Sequence, residues 1–132
     1  MSRRELREKI FSLLFRIEFN HPEDMPEQIK LFFEDEDTKA SEKEEMQIAA
    51  KYGSIMAKKD EIDNSINDKA EGWTVERMGK VELTILRLAV YEILYDDEVP
   101  AGVAINEAVE LAKKFGQDGS GRFVNAILAK YV

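Results

Sequence analysis

With 132 residues, of which 44% are hydrophobic and none is cysteine, the chain can bury the core of one domain or of two small halves. It can form no disulfide framework, thiolate metal site or cysteine nucleophile. No apolar run reaches the roughly 18 residues of a membrane span, and Arg16 and Glu18 interrupt the stretch that a secretory signal would need, so a cytoplasmic protein without membrane contact is expected. The net charge of −8 is uneven: the first sixteen and the last twenty residues each carry +3, which leaves −14 between them. That asymmetry points to a polyanion at the ends and a basic protein partner on the body, the alternative being ordinary solvated helix faces.

The pattern is helical almost throughout. Ser2 and Glu5 have the spacing of a capping box, and Leu6, Ile10, Leu13, Leu14 and Ile17 follow as one helical stripe. Arg3, Arg4 and Arg7 cluster on the first turns of this helix, where cations oppose the helix dipole, a cost that favours a functional reason for them. Asn20, His21 and Pro22 break the helix. Pro26 suits the first turn of a second one bearing Ile29, Phe32 and Phe33. The acidic residues from Glu34 to Asp37 lack the alternating ligands and glycine of a calcium loop. Ser41 and Glu44 form another capping-box pair. The helix they open carries Ala49, Ala50, Gly53 and Ala57, small residues expected to allow close helix packing. Asp60 is expected to cap a fourth helix through Ile62, Ile66 and Ala70, ended by Gly72.

Thr74 can cap a short turn containing Val75 and Met78. From Lys80 to Tyr95 the chain is apolar on most of the helix circumference, which predicts a central helix buried on several sides. Pro100 opens the next helix and Gly116 closes it. Ser120 is expected to cap the last, which carries Phe123, Val124, Ile127, Leu128 and Tyr131. The sum is an all-α chain of about seven helices without strand-like alternation.

No catalytic constellation stands out. The single histidine, His21, lies in a helix-ending turn with no serine and aspartate arrangement to serve it. The glycine-rich segment 116–121 follows a helix rather than a strand, so it lacks the context of a nucleotide-binding turn. It can present backbone N–H groups to a phosphate at the start of the last helix, assisted by Arg122, or serve as a plain interhelix loop. Trp73 and most phenylalanines read as core, with Phe123, beside the basic loop, the less settled case.

The run Val81-Glu82, then Ile85-Leu86-Arg87-Leu88-Ala89-Val90-Tyr91-Glu92-Ile93-Leu94, Val99-Pro100, Ile105-Asn106-Glu107-Ala108-Val109-Glu110-Leu111-Ala112-Lys113, Phe115-Gly116 and Arg122-Phe123-Val124-Asn125 closely resembles the NusB family of bacterial transcription antitermination factors. Arg3-Arg4, Arg7 and Leu14-Phe15 resemble the family's arginine-rich first helix. Residues 20–72 are less diagnostic, although their helix count fits. The resemblance implies one NusB-like domain over residues 1–132, built as two small three-helix bundles around a central buried helix, with halves of about 1–72 and 73–132. It implies no enzyme activity and no cofactor. It implies binding of boxA-type single-stranded RNA together with NusE, a small-subunit ribosomal protein, within the antitermination complex on RNA polymerase during ribosomal RNA transcription. The oligomeric state it implies is a monomer or weak homodimer.

By position, the resemblance assigns RNA contact to Arg3, Arg4 and Arg7 and to Ser120, Arg122 and Phe123. It assigns NusE contact to Phe15, Glu76, Arg77 and Glu82. Glu5 stands inside the arginine cluster where the family often has a basic residue, and Gly119 and Gly121 replace side chains that could reach RNA. Two other readings of the chain are an RNA-binding domain excised from an RNA cytosine methyltransferase, since a NusB-like domain occurs fused to such enzymes, and a protein-interaction adaptor that makes no RNA contact.

Overall fold

A computed structural model describes all residues from Met1 to Val132. Seven α-helices run in chain order: α1 (Arg3–Phe15), α2 (Met25–Glu34), α3 (Glu42–Ala57), α4 (Lys59–Lys69), α5 (Lys80–Tyr95), α6 (Ala101–Phe115) and α7 (Ser120–Leu128). Short 3₁₀ turns cover Arg16–Glu18, Pro22–Asp24, Val75–Arg77 and Ala129–Tyr131, and there are no strands. No helix is long and apolar enough to cross a membrane.

The chain divides into two compact units, Met1–Met56 and Ala57–Val132. In the first unit, α1 opens with the expected capping box: the Glu5 N–H donates to Ser2 Oγ at 3.1 Å and the Ser2 N–H donates to Glu5 Oε1 at 3.2 Å. The Ser41–Glu44 pair repeats the arrangement before α3, at 2.9 and 3.2 Å. Each box satisfies backbone donors that a helix start leaves without intrahelical partners. The N-terminal ammonium also contacts the Glu44 carboxylate, fastening the start of α1 to that of α3. Pro26 sits in the first turn of α2 as expected. Lys9 Nζ donates to the Asp37 carbonyl at 3.2 Å, and Thr38 Oγ1 donates to the Phe32 carbonyl at 2.6 Å, which closes the acidic loop.

The small residues of α3 do not form a packing face. Ala50, Gly53 and Ala57 are exposed, and a Cβ added to Gly53 would meet nothing within 4 Å. The helix buries Ile48, Tyr52 and Ile55 instead. Bulky side chains remove more apolar surface from water than small ones, and that sets which face turns inward.

In the second unit α5 is central, packed against α4, α6 and α7, while α6 also packs on α7. Leu83, Ile85, Leu86, Leu88, Ala89 and Val90 are buried, as are the polar Thr84, Arg87 and Glu92. The contacts therefore group α4 with α5, whereas a division near residue 72 separates them. Helix α4 begins at Lys59 with Lys58 as its N-cap and no side-chain cap, so Asp60 lies inside its first turn rather than capping it. The helix ends at Lys69, and Gly72, with φ of 81°, follows in the left-handed region that glycine enters without steric cost. Pro100 and Gly116 flank α6 as expected.

Candidate nucleic-acid interface

The first basic segment lies on the opening turns of α1. Arg3 and Arg4 are exposed and Arg7 is half-buried. Two other cations of the same stretch have partners within the first unit. Lys9 is engaged with the Asp37 carbonyl. Arg16 donates from Nη1 to Gln28 Oε1 at 3.0 Å, and its guanidinium lies 5.3 Å from the Phe32 ring centre. The three arginines of the basic patch stand together on the first two turns of the helix, Arg3 and Arg4 with exposed side chains. Glu5 among them is committed to the capping box, which holds its carboxyl below the usual carboxylate range through the hydrogen bonds from Ser2.

The second segment lies where the 116–121 loop enters α7. Gly119, with φ of 89°, is the N-cap, so the helix starts at Ser120, one residue earlier than a Ser120 cap requires. Ser120 is 6% exposed, and its Oγ accepts from the Gln117 N–H at 2.9 Å. The hydroxyl thus closes the loop on itself. Gly116 is obligatory here for a steric reason: a Cβ would fall 2.6 Å from Ser120 Cβ and 2.7 Å from the Ala112 carbonyl oxygen. A tight, glycine-built turn delivers the chain into α7 with Arg122 exposed and Phe123 half-buried on its first turn.

Phe123 meets an aromatic neighbour that sequence reasoning assigned to the core. Trp73 is 46% exposed. Its ring stands edge-on to Phe123, with centroids 5.4 Å apart and planes at 80°. The Arg77 guanidinium lies 6.0 Å from the Trp73 ring centre. Trp73 sits in the connection after Gly72, four residues before Arg77, and that loop position beside a cation is the signal that pointed outward. A large aromatic is buried on average, and that average misled.

The partner-assigned residues are spread over both units. In the first, Phe15 stacks on buried Phe11 at 5.8 Å and meets Phe19 edge-on at 5.0 Å. Phe19 is 62% exposed, so the three rings run from core to surface. In the second, Glu76 and Arg77 are exposed on the Val75–Arg77 turn, which is pinned to α4 by the Val75 N–H donating to Asn67 Oδ1 at 2.8 Å. Glu82 is the third residue of α5, and its carboxylate folds back over Gly79, the N-cap: a Cβ at Gly79 would collide with it. An acid at this position is favoured by the helix dipole. Arg87, five residues on in the same helix, pairs with Asp63 of α4. His21 is exposed and makes no side-chain cap. No three His, Cys, Asp or Glu side chains converge to hold a metal ion.

The fold and these segments define an all-helical protein with cations at the starts of two helices and an aromatic pair beside the second. The sequence profile of the NusB family matches residues 4–132, and the chain belongs to that family. It is 48% identical over 132 residues to the transcription antitermination protein NusB of Lachnoclostridium phytofermentans, covering all of this chain and 99% of that one. It is 47% identical over 131 residues to the NusB of Agathobacter rectalis, covering 99% of each. Among solved structures, NusB of T. maritima superposes with a TM-score of 0.86 at 34% identity, covering 99% of this chain and 90% of that one. A chain in the crystal structure of antitermination factors NusB and NusE in complex with dsRNA superposes with a TM-score of 0.83 at 26% identity, covering 98% of this chain and 94% of the other.

Proposed function

We infer that this chain is a transcription antitermination factor that binds boxA-type RNA together with NusE and supports ribosomal RNA transcription by RNA polymerase, without catalysis. It works in the cytoplasm, where nascent RNA is made. The observation that carries the reading is the full-length likeness to antitermination proteins, including a chain solved with NusE and RNA.

The chemistry supports the same reading. Arg3, Arg4 and Arg7 supply charge for phosphates at the start of α1, and such contacts release counterions from the RNA. Arg122 adds charge at α7, Phe123 an aromatic edge, and Ser120 acts by holding the loop that positions both. On the acidic remainder of the chain, opposite charge steers a basic ribosomal protein. The contacts to NusE are assigned to Phe15 in the first unit and to Glu76, Arg77 and Glu82 in the second.

Anisotropy of labelled boxA RNA, titrated with this chain, with NusE and with the pair, tests the proposal. The pair should bind more tightly than either protein alone, and a boxA single strand more tightly than a scrambled one. RNA binding by NusE that this chain leaves unchanged would contradict the reading.

A further inference from the structure

Trp73 is the chain's one tryptophan, and it stands nearly half exposed in the turn that precedes α5. Phe123, on the first turn of α7, stands roughly perpendicular to it, with centroids 5.4 Å apart. The Arg77 guanidinium sits 6.0 Å from the indole centre. Exposed Arg122 adjoins Phe123 in sequence. A half-exposed aromatic ring braced by a second ring and held against a guanidinium matches what an unpaired nucleobase requires. The exposed part of the ring offers a surface to any base, with the Arg77 guanidinium held against the indole. The charge argues against an apolar protein surface as occupant, because covering the indole would also desolvate Arg77.

We propose that Trp73, braced by Phe123 and flanked by Arg77, is a stacking platform for one unpaired base of the bound RNA. The proposal rests on the RNA-binding reading above and adds to it a residue that contacts a base rather than the phosphate chain. It makes this part of the surface selective for single strands, since a paired base is already stacked in its duplex. Phe123 acts through Trp73 by fixing the angle of the indole.

A single tryptophan reports on its own occupancy. Indole emission is followed while the chain, alone and bound to NusE, is titrated with a boxA single strand and with a duplex of the same sequence; the Trp73→Phe protein gives the blank for NusE. RNA anisotropy is read in parallel. The single strand should quench Trp73 emission in step with the anisotropy rise, and the duplex should quench it less. Trp73→Ala should weaken single-strand binding by about 5- to 150-fold, the range for loss of one stacked base, while Trp73→Phe should keep most of the affinity. Should Trp73→Ala fold poorly, the wild-type emission still decides. RNA that binds by anisotropy without changing Trp73 emission overturns the platform and leaves the functional reading intact. So does emission that responds to NusE and not to RNA, which would make the indole a protein contact. Absence of any RNA binding, alone or with NusE, removes both.

Discussion

Arg87 of α5 holds Asp63 of α4 in a two-pronged ion pair: Nε donates to Oδ1 at 2.8 Å and Nη2 to Oδ2 at 3.0 Å. The Arg87 side chain is 6% exposed and that of Asp63 14%. Lys59 adds a second cation, its Nζ 3.3 Å from Asp63 Oδ2. A planar guanidinium meeting a carboxylate along both donors combines charge with fixed geometry. The pair therefore sets the register between α4 and the central helix. Removing one partner of a buried pair costs more than the pair contributes, since the other charge stays out of water. Asp63→Ala should destabilise the protein by about 3–5 kcal/mol in urea melts. The double change Asp63→Leu with Arg87→Met should recover most of that loss. A double variant as unstable as Asp63→Ala would show that the pair is not the source of the effect.

Replacing Arg3, Arg4 and Arg7 with alanine should weaken RNA binding and flatten its salt dependence, with helicity retained. Each lost contact to a single strand lowers the slope of log affinity against log salt by about 0.7, so the triple variant should lose about 2 from the slope if all three reach phosphates. An unchanged slope places the RNA elsewhere on the chain.

Glu44 makes the first unit sensitive to acid. The N-terminal ammonium donates to its carboxylate, and the Ser41 backbone N–H adds to this, holding its pKa at about 2 against a usual 4.5. A carboxyl depressed on folding stabilises the folded state above its unfolded pKa, and that contribution fades as pH falls toward the folded value. Wild type should therefore be more stable than Glu44→Gln at pH 7, with the gap shrinking below about pH 4.5 and closed near pH 2. A gap that stays constant from pH 7 to pH 2 in denaturant melts would mean the pair adds nothing to folding.

These features differ in how legible they were. Both capping boxes, the proline at the start of α2 and the apolar α5 depend on residues within four positions of one another, so spacing along the chain revealed them. The Asp63–Arg87 pair joins residues 24 apart, and no local pattern carries it. Side-chain size misdirected two expectations. The small residues of α3 suggested a packed face, yet Gly53 lies open because Ile48, Tyr52 and Ile55 take the buried side. Trp73 suggested core, yet the turn after Gly72 turns it outward beside Arg77. In the candidate site, the two basic segments could be read from charge and position. The engagement of Lys9 by Asp37 and of Arg16 by Gln28 depends on tertiary partners and could not.

Glu82 separates a local role from a partner role. Its carboxylate lies over Gly79 at the start of α5, so Glu82→Lys costs helix-dipole stabilisation of about 0.3–1 kcal/mol as well as any contact to NusE. Glu82→Gln keeps the side chain's length and removes only the charge. Glu82→Lys should weaken NusE binding by more than about tenfold, or 1.4 kcal/mol, and Glu82→Gln by less. RNA binding by the chain alone should be unchanged or slightly stronger. Wild-type affinity for NusE in calorimetry of a normally folded Glu82→Lys protein would move the interface off this helix.

Terminator read-through in reconstituted transcription tests the central claim most directly. RNA polymerase, NusE and the other elongation factors transcribe a template with a boxA element upstream of a terminator, with and without this chain. Adding the chain should raise read-through on that template and not on one with a scrambled element, and the Arg3, Arg4 and Arg7 triple variant should lose most of the effect. Read-through that is the same with and without the chain, or that rises equally on the scrambled template, would contradict the account.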